Sequence, residues 1–150
     1  MKSTLRFRVE APVEAIYAEA FAPDKWMRFF KGYRALESVD PNWPEQGSSI
    51  TLRYAVVGPW VAQMKHTIVD HEHGRSLRIH EELLSGWWID DIEMRFDSEN
   101  GVTNVTVISN PTSKILLVKP LLLLMWPFGV LMTRSAMKRF KAMIESSKTA

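Results

Sequence analysis

The sequence predicts an α+β fold: one strand, two short helices, six further antiparallel strands, and a long C-terminal helix with one face for a sheet. Three observations carry this reading. The dipeptides His73-Gly74, Ser85-Gly86 and Asn100-Gly101 are tight-turn signals, because glycine adopts positive φ without steric cost. The segments between them alternate apolar and polar residues, as half-buried strands do. The last segment instead repeats apolar residues at Phe128, Met132, Ala136, Phe140, Met143 and Ile144, a helical stripe.

Leu5, Phe7 and Val9 alternate with Arg6, Arg8 and Glu10 as a first strand, which Ala11-Pro12 ends. Pro12 suits the first turn of a helix through Val13, Ile16, Tyr17 and Phe21, and Pro23-Asp24 opens a second short helical segment with Trp26, Met27, Phe29 and Phe30. After Gly32, Tyr33 to Val39 reads as the second strand, and Asp40 to Gly47 as a long turn. Ile50, Leu52, Tyr54 and Val56 alternate next. To share a face with Ala62, Met64 and His66 they require a three-residue connection, Val57-Gly58-Pro59.

The three turns then fix cross-strand partners. Around His73-Gly74, Lys65 lies opposite Glu82, Ile68 opposite Ile79 and Met64 opposite Leu83. Around Ser85-Gly86, Arg78 meets Glu93, His80 meets Asp91, Ile79 meets Ile92 and Leu83 meets Trp88; around Asn100-Gly101, Phe96 meets Val105 and Met94 meets Val107. Charges face charges on one side, and apolar residues face each other on the other. Within that apolar face His66, Glu81 and Asp90 fall in one row, where an ionisable group must be paired, hydrogen-bonded, protonated or wet. The row reads either as a satisfied polar cluster or as the polar spot of a ligand cavity.

The 150 residues, 46% of them hydrophobic, suit one domain spanning 1–150 with a full core. The chain has no cysteine, which excludes disulfides, thiolate nucleophiles and cysteine-ligated zinc. The first residues alternate at once, with no apolar stretch of signal-peptide length, so a cytoplasmic location is expected. Net charge is +2, but from Lys114 onward seven basic residues oppose Glu145 alone, giving +6 there and −4 before it. A basic end favours a solvated helix face or an anionic membrane surface; no nucleic-acid motif accompanies it. His71 and His73 form an H-x-H pair, but no third and fourth ligand is evident, so a surface turn is expected and no metal or cofactor is implied. There is neither a G-x-S-x-G elbow nor a glycine-rich phosphate loop.

Residues Ile115 to Met132 read ILLVKPLLLLMWPFGVLM, long enough to raise a transmembrane span, yet broken by Lys119, Pro120 and Pro127 and continuous with the amphipathic helix. The run is more apolar than one sheet-facing stripe requires. A cavity, a membrane or another subunit is left to cover the remainder.

The order of elements resembles the SRPBCC superfamily, the START-like, polyketide cyclase-like and birch-pollen-allergen-like helix-grip domains. The resemblance runs from Leu5 to Ile144 and rests on Phe7 to Tyr17, on Asp24-Lys25-Trp26 and on Met137 to Glu145. It implies a curved seven-stranded sheet wrapped around the terminal helix, with an apolar cavity between them. Members bind lipids, sterols, quinones or hormones, and some cyclise or dehydrate polyketides, so the fold does not choose a chemistry.

Three readings follow. The leading one is a non-enzymatic binding or carrier protein for a hydrophobic small molecule, lipid-like or isoprenoid, held by Leu52, Tyr54, Met64, Leu83, Trp88, Ile92, Met94, Val107, Phe128 and Met132, with His66, Glu81 and Asp90 meeting its polar group. Its rival is a small cyclase, dehydratase or hydrolase with His66 as base, Glu81 as orienting group or acid, and Asp90 tuning both. The third is an interaction module forming a homodimer through its apolar end. That end gathers Trp60, Trp87, Leu122 and Trp126, residues suited to a membrane or a partner.

Overall fold

The computed structural model describes residues 1–83 and 86–147. Strand β1 (Ser3–Val9) leads through Ala11-Pro12 into helix α1 (Val13–Ala20), with Pro12 at the N-cap and Val13, Ile16 and Ala20 buried. The second helical segment expected from Pro23-Asp24 is instead a run of turns, in which Lys25 and Trp26 both donate to the Ala22 carbonyl and Phe30 donates to Met27. Met27 takes φ 63°, a left-handed conformation that no α-helix continues through. Strands β2 (Tyr33–Val39), β3 (Ser49–Val57), β4 (Trp60–Glu72), β5 (Ser76–Leu83), β6 (Trp88–Glu99) and β7 (Val102–Thr112) follow. They form one antiparallel sheet in the order β1-β7-β6-β5-β4-β3-β2.

The expected pairs are present across β4, β5, β6 and β7, including Lys65 with Glu82, His80 with Asp91 and Met94 with Val107. Asn100 and Gly101 make a two-residue turn, both at positive φ, closing on Glu99 and Val102. Ser85, half of the expected β5–β6 turn, lies outside the described residues. Two connections differ from the simplest reading. The β3–β4 register is the one a three-residue loop would give, Ile50 with His66 and Tyr54 with Ala62, but it is reached by a register shift after Ala55, with Val57 paired to Trp60 across Gly58-Pro59. In β4 the register shifts between Ile68 and Asp70, so His71 faces Leu77 and Glu72 faces Ser76, and His73-Gly74-Arg75 becomes a three-residue loop.

Helix α2 (Lys119–Ser147) follows a 3-10 turn at Leu116–Val118 and continues through Pro127. Its second half supplies Ala136, Met137, Phe140 and Ile144 to the core, where the Phe140 ring meets Phe7 and Phe29 edge-on. The 3-10 turn and the first half of the helix turn Val118 and Leu122 inward, with Trp126 half-buried, and leave Phe128 and Met132 exposed. The expected stripe is therefore displaced to another face of the same helix in this half. Buried Val118 and Leu122 stand apart from the contiguous core.

A close approach fixes the edge of the core. A Cβ at Gly32 would collide with the ring of Tyr54, while the Gly32 carbonyl accepts from Ala55 N at 2.7 Å. Gly32→Ala is expected to lower stability by about 2 kcal/mol, measured by urea unfolding. Combined with Tyr54→Leu it is expected to lose less than the two changes add up to separately; strict additivity would refute the contact.

Candidate functional site

His66, Glu81 and Asp90 are direct cross-strand neighbours in β4, β5 and β6, and are 1%, 7% and 6% exposed. Their burial is matched by partners. Trp26, in the turns after α1, donates its indole N–H to His66 Nδ1 at 2.6 Å, and His66 Nε2 lies 3.0 Å from Glu81 Oε2. Because Nδ1 is an acceptor, the ring hydrogen sits on Nε2 and points at the Glu81 carboxylate. The relay is Trp26 to His66 to Glu81, and the imidazole's lone pair is already occupied.

Asp90 is held from the other side. Ser109 Oγ donates to Oδ2 at 2.5 Å, and Asn110 N donates to Oδ1 at 2.7 Å. Burial pushes its carboxyl up from 3.8 to about 7, the nearby Glu81 charge adds to the rise, and the two hydrogen bonds from β7 oppose it. Tyr54, on β3, is likewise pushed up to about 12, chiefly by burial and then by Glu81. Its phenol thus keeps its proton at neutral pH. Among the described residues, no group of three or more His, Asp or Glu side chains is arranged to hold a metal ion.

Of the other residues expected to line a cavity, Leu52, Met64, Leu83, Met94 and Val107 are buried on the same face, and Trp88 and Ile92 are half-buried against them. Phe128 and Met132 do not join them, and Leu122 and Trp126 do not form the exposed face with Trp60 and Trp87. These two pairs exchange sides, because a helix half that is apolar all round has no phase in its sequence. Trp60 is 77% exposed and Trp87 is also exposed. Two open clefts lie away from this row: one of about 400 Å³ between β1 and α2, the other of about 380 Å³ on the outer face of the sheet around Arg78, Asp91 and Glu93.

Sequence reasoning missed several participants. Trp26 lies forty residues from His66 in the chain, and Ser109 and Asn110 carry no local signal of their role. His71 is not a surface turn residue: the register shift at Val69 turns it inward, its side chain only 2% exposed, with Nε2 3.0 Å from the Tyr17 hydroxyl. Tyr17 OH also receives the Gly74 N–H at 3.2 Å, so α1 is tied to the β4–β5 hairpin.

No family model matches the sequence, and no curated protein matches it. Solved structures do resemble it in three dimensions. A Staphylococcus aureus protein of unknown function superimposes with a TM-score of 0.72 at 12% identity, covering 100% of this chain and 98% of its own. A Chromobacterium violaceum protein gives 0.71 at 10% identity, covering 96% of each chain, and a Mycobacterium smegmatis protein gives 0.71 at 16%, covering 97% and 92%. At these identities the likeness establishes the helix-grip architecture and nothing of its chemistry.

Proposed function

We propose that this protein is a member of the SRPBCC superfamily that binds or carries a hydrophobic, lipid-like molecule and works against a membrane surface. The observation that carries the reading is the outer face of the 3-10 turn and the first half of α2 that continues it. Leu117 is 88% exposed, Leu124 75% and Phe128 68%, with Leu123, Leu131 and Met132 exposed beside them. Scattered exposed leucines are ordinary, but a contiguous face of them is not. The segment is long and apolar enough to cross a bilayer. Crossing is nevertheless disfavoured by its anchorage: Val118 and Leu122 are buried at its start, and Ala136 and Phe140 lie in the core beyond it. Both ends belong to one folded body, as in a helix that lies in the interface. Exposed Trp60 and Trp87 and the flanking Lys114 and Lys119 suit the headgroup layer.

Binding is favoured over acid–base catalysis by the His66 hydrogen bonds, since a general base needs a lone pair directed at substrate. Vesicle flotation tests the membrane reading. The wild type is expected to float with phosphatidylcholine–phosphatidylglycerol vesicles. A variant carrying Leu124→Glu and Phe128→Glu is expected to bind at least tenfold more weakly, each lost insertion being worth about 1–2 kcal/mol. A wild type that stays unbound, or a detergent-sensitive dimer in light scattering that buries this face, would overturn it. Native mass spectrometry of gently extracted protein is expected to reveal a copurifying lipid-like mass, and none would appear if the carrier role is wrong.

A further inference from the structure

We propose that the 400 Å³ cleft between β1 and the second half of α2 binds the phosphate-bearing headgroup of an anionic phospholipid. The cleft is lined by four cations from two elements: Arg6 on β1, and Arg134, Lys138 and Lys141 on α2. The helical three are spaced four and three residues apart, which sets them along one side of the helix. Among the described residues, no carboxylate lines the cleft. Lys141 lies 3.7 Å from Glu145, whereas Arg6, Arg134 and Lys138 make no ion pair among the described residues. Like charges gathered without a counter-charge repel one another, and a bound anion relieves that repulsion.

Two features favour a lipid over free phosphate. The cleft has apolar walls, Phe7 and Met137, beneath its cations, which match the glycerol and upper acyl carbons of a lipid. The same helix also carries the exposed apolar face: Met132 and Arg134 are two residues apart, about 3 Å along the axis, and Arg134 to Lys141 spans about 10 Å. With that apolar face lying in the interface, the cations stand on the flank of the same helix, at the level of the polar layer and not of the acyl chains.

This inference takes its biological setting from the membrane reading, yet a soluble lipid tests it without a bilayer. Full-length protein is titrated calorimetrically with dihexanoyl phosphatidylglycerol below its critical micelle concentration, and separately with inorganic phosphate. The wild type is expected to bind the short-chain lipid more tightly than phosphate, and more weakly as salt rises. The combined variant Arg6→Gln, Arg134→Gln and Lys138→Gln is expected to lose about fivefold per cation, near 100-fold in all, with its thermal unfolding unchanged. The Leu124→Glu and Phe128→Glu variant is expected to keep short-chain lipid binding while losing vesicles, which separates failure of the cleft from failure of the membrane face. Equal affinity for inorganic phosphate, no heat with either ligand, or unchanged binding in the triple variant would each refute the headgroup site.

Discussion

Asp90→Asn is expected to make the protein more stable than the wild type at pH 8 and nearly equal to it at pH 4. The reason is the buried carboxyl. Its titration is raised from 3.8 to about 7 by burial first and by Glu81 second. Between those pH values the folded state retains a proton that the unfolded chain has released, so folding stability falls as pH rises across that window. A three-unit shift corresponds to at most about 4 kcal/mol. Asparagine keeps an oxygen for the Asn110 N–H, and its amide can donate to Ser109 Oγ, so the hydrogen bonds survive without the charge. The readout is the difference in urea-unfolding free energy between variant and wild type from pH 4 to 8, which cancels the titration of other groups. A flat difference would refute the raised titration.

His66→Leu is expected to destabilise the protein by about 4 kcal/mol. The substitution preserves apolar bulk but strands two buried groups at once, the Trp26 indole N–H and the Glu81 carboxylate. Each orphaned group costs about 1–3 kcal/mol, and a charged one more. His66→Gln is expected to recover part of the loss, because its amide offers both an acceptor and a donor. If leucine is tolerated, or glutamine proves no better, the relay does not hold the site together. The result would also bear on catalysis: a row whose main role is mutual satisfaction explains its burial without a reaction.

Much of the fold was legible because the informative residues are local. Asn100-Gly101 fixes its turn directly, and the agreement of Lys65 with Glu82, and of His80 with Asp91, cross-checks the strands. The juxtaposition of His66, Glu81 and Asp90 follows from that register alone. What failed to show was non-local or degenerate. Met27 is helix-compatible by type and is forced to φ 63° only by its surroundings. Trp26 reaches His66 through the tertiary fold, which no spacing encodes. In the first half of α2, leucine, methionine and phenylalanine occupy every face, so the sequence does not reveal that Leu122 goes in and Phe128 stays out.

The shift at Val69 governs more than a local kink. In a strand, an extra residue inverts the parity of everything beyond it. Asp70 thereby pairs with Arg78 outside, their side chains 3.2 Å apart, while His71 goes under Tyr17. Pairing Val69 itself with Arg78 would close the hairpin on His73-Gly74 and exchange those destinations, sending a carboxylate inward and the histidine into water, whereas deleting Val69 would remove the bulge and leave Asp70 opposite Arg78 and His71 opposite Leu77. The interior beneath α1 therefore hangs on one unpaired residue: the bulge, and not the His73-Gly74 turn signal, decides which chemistry the helix rests upon.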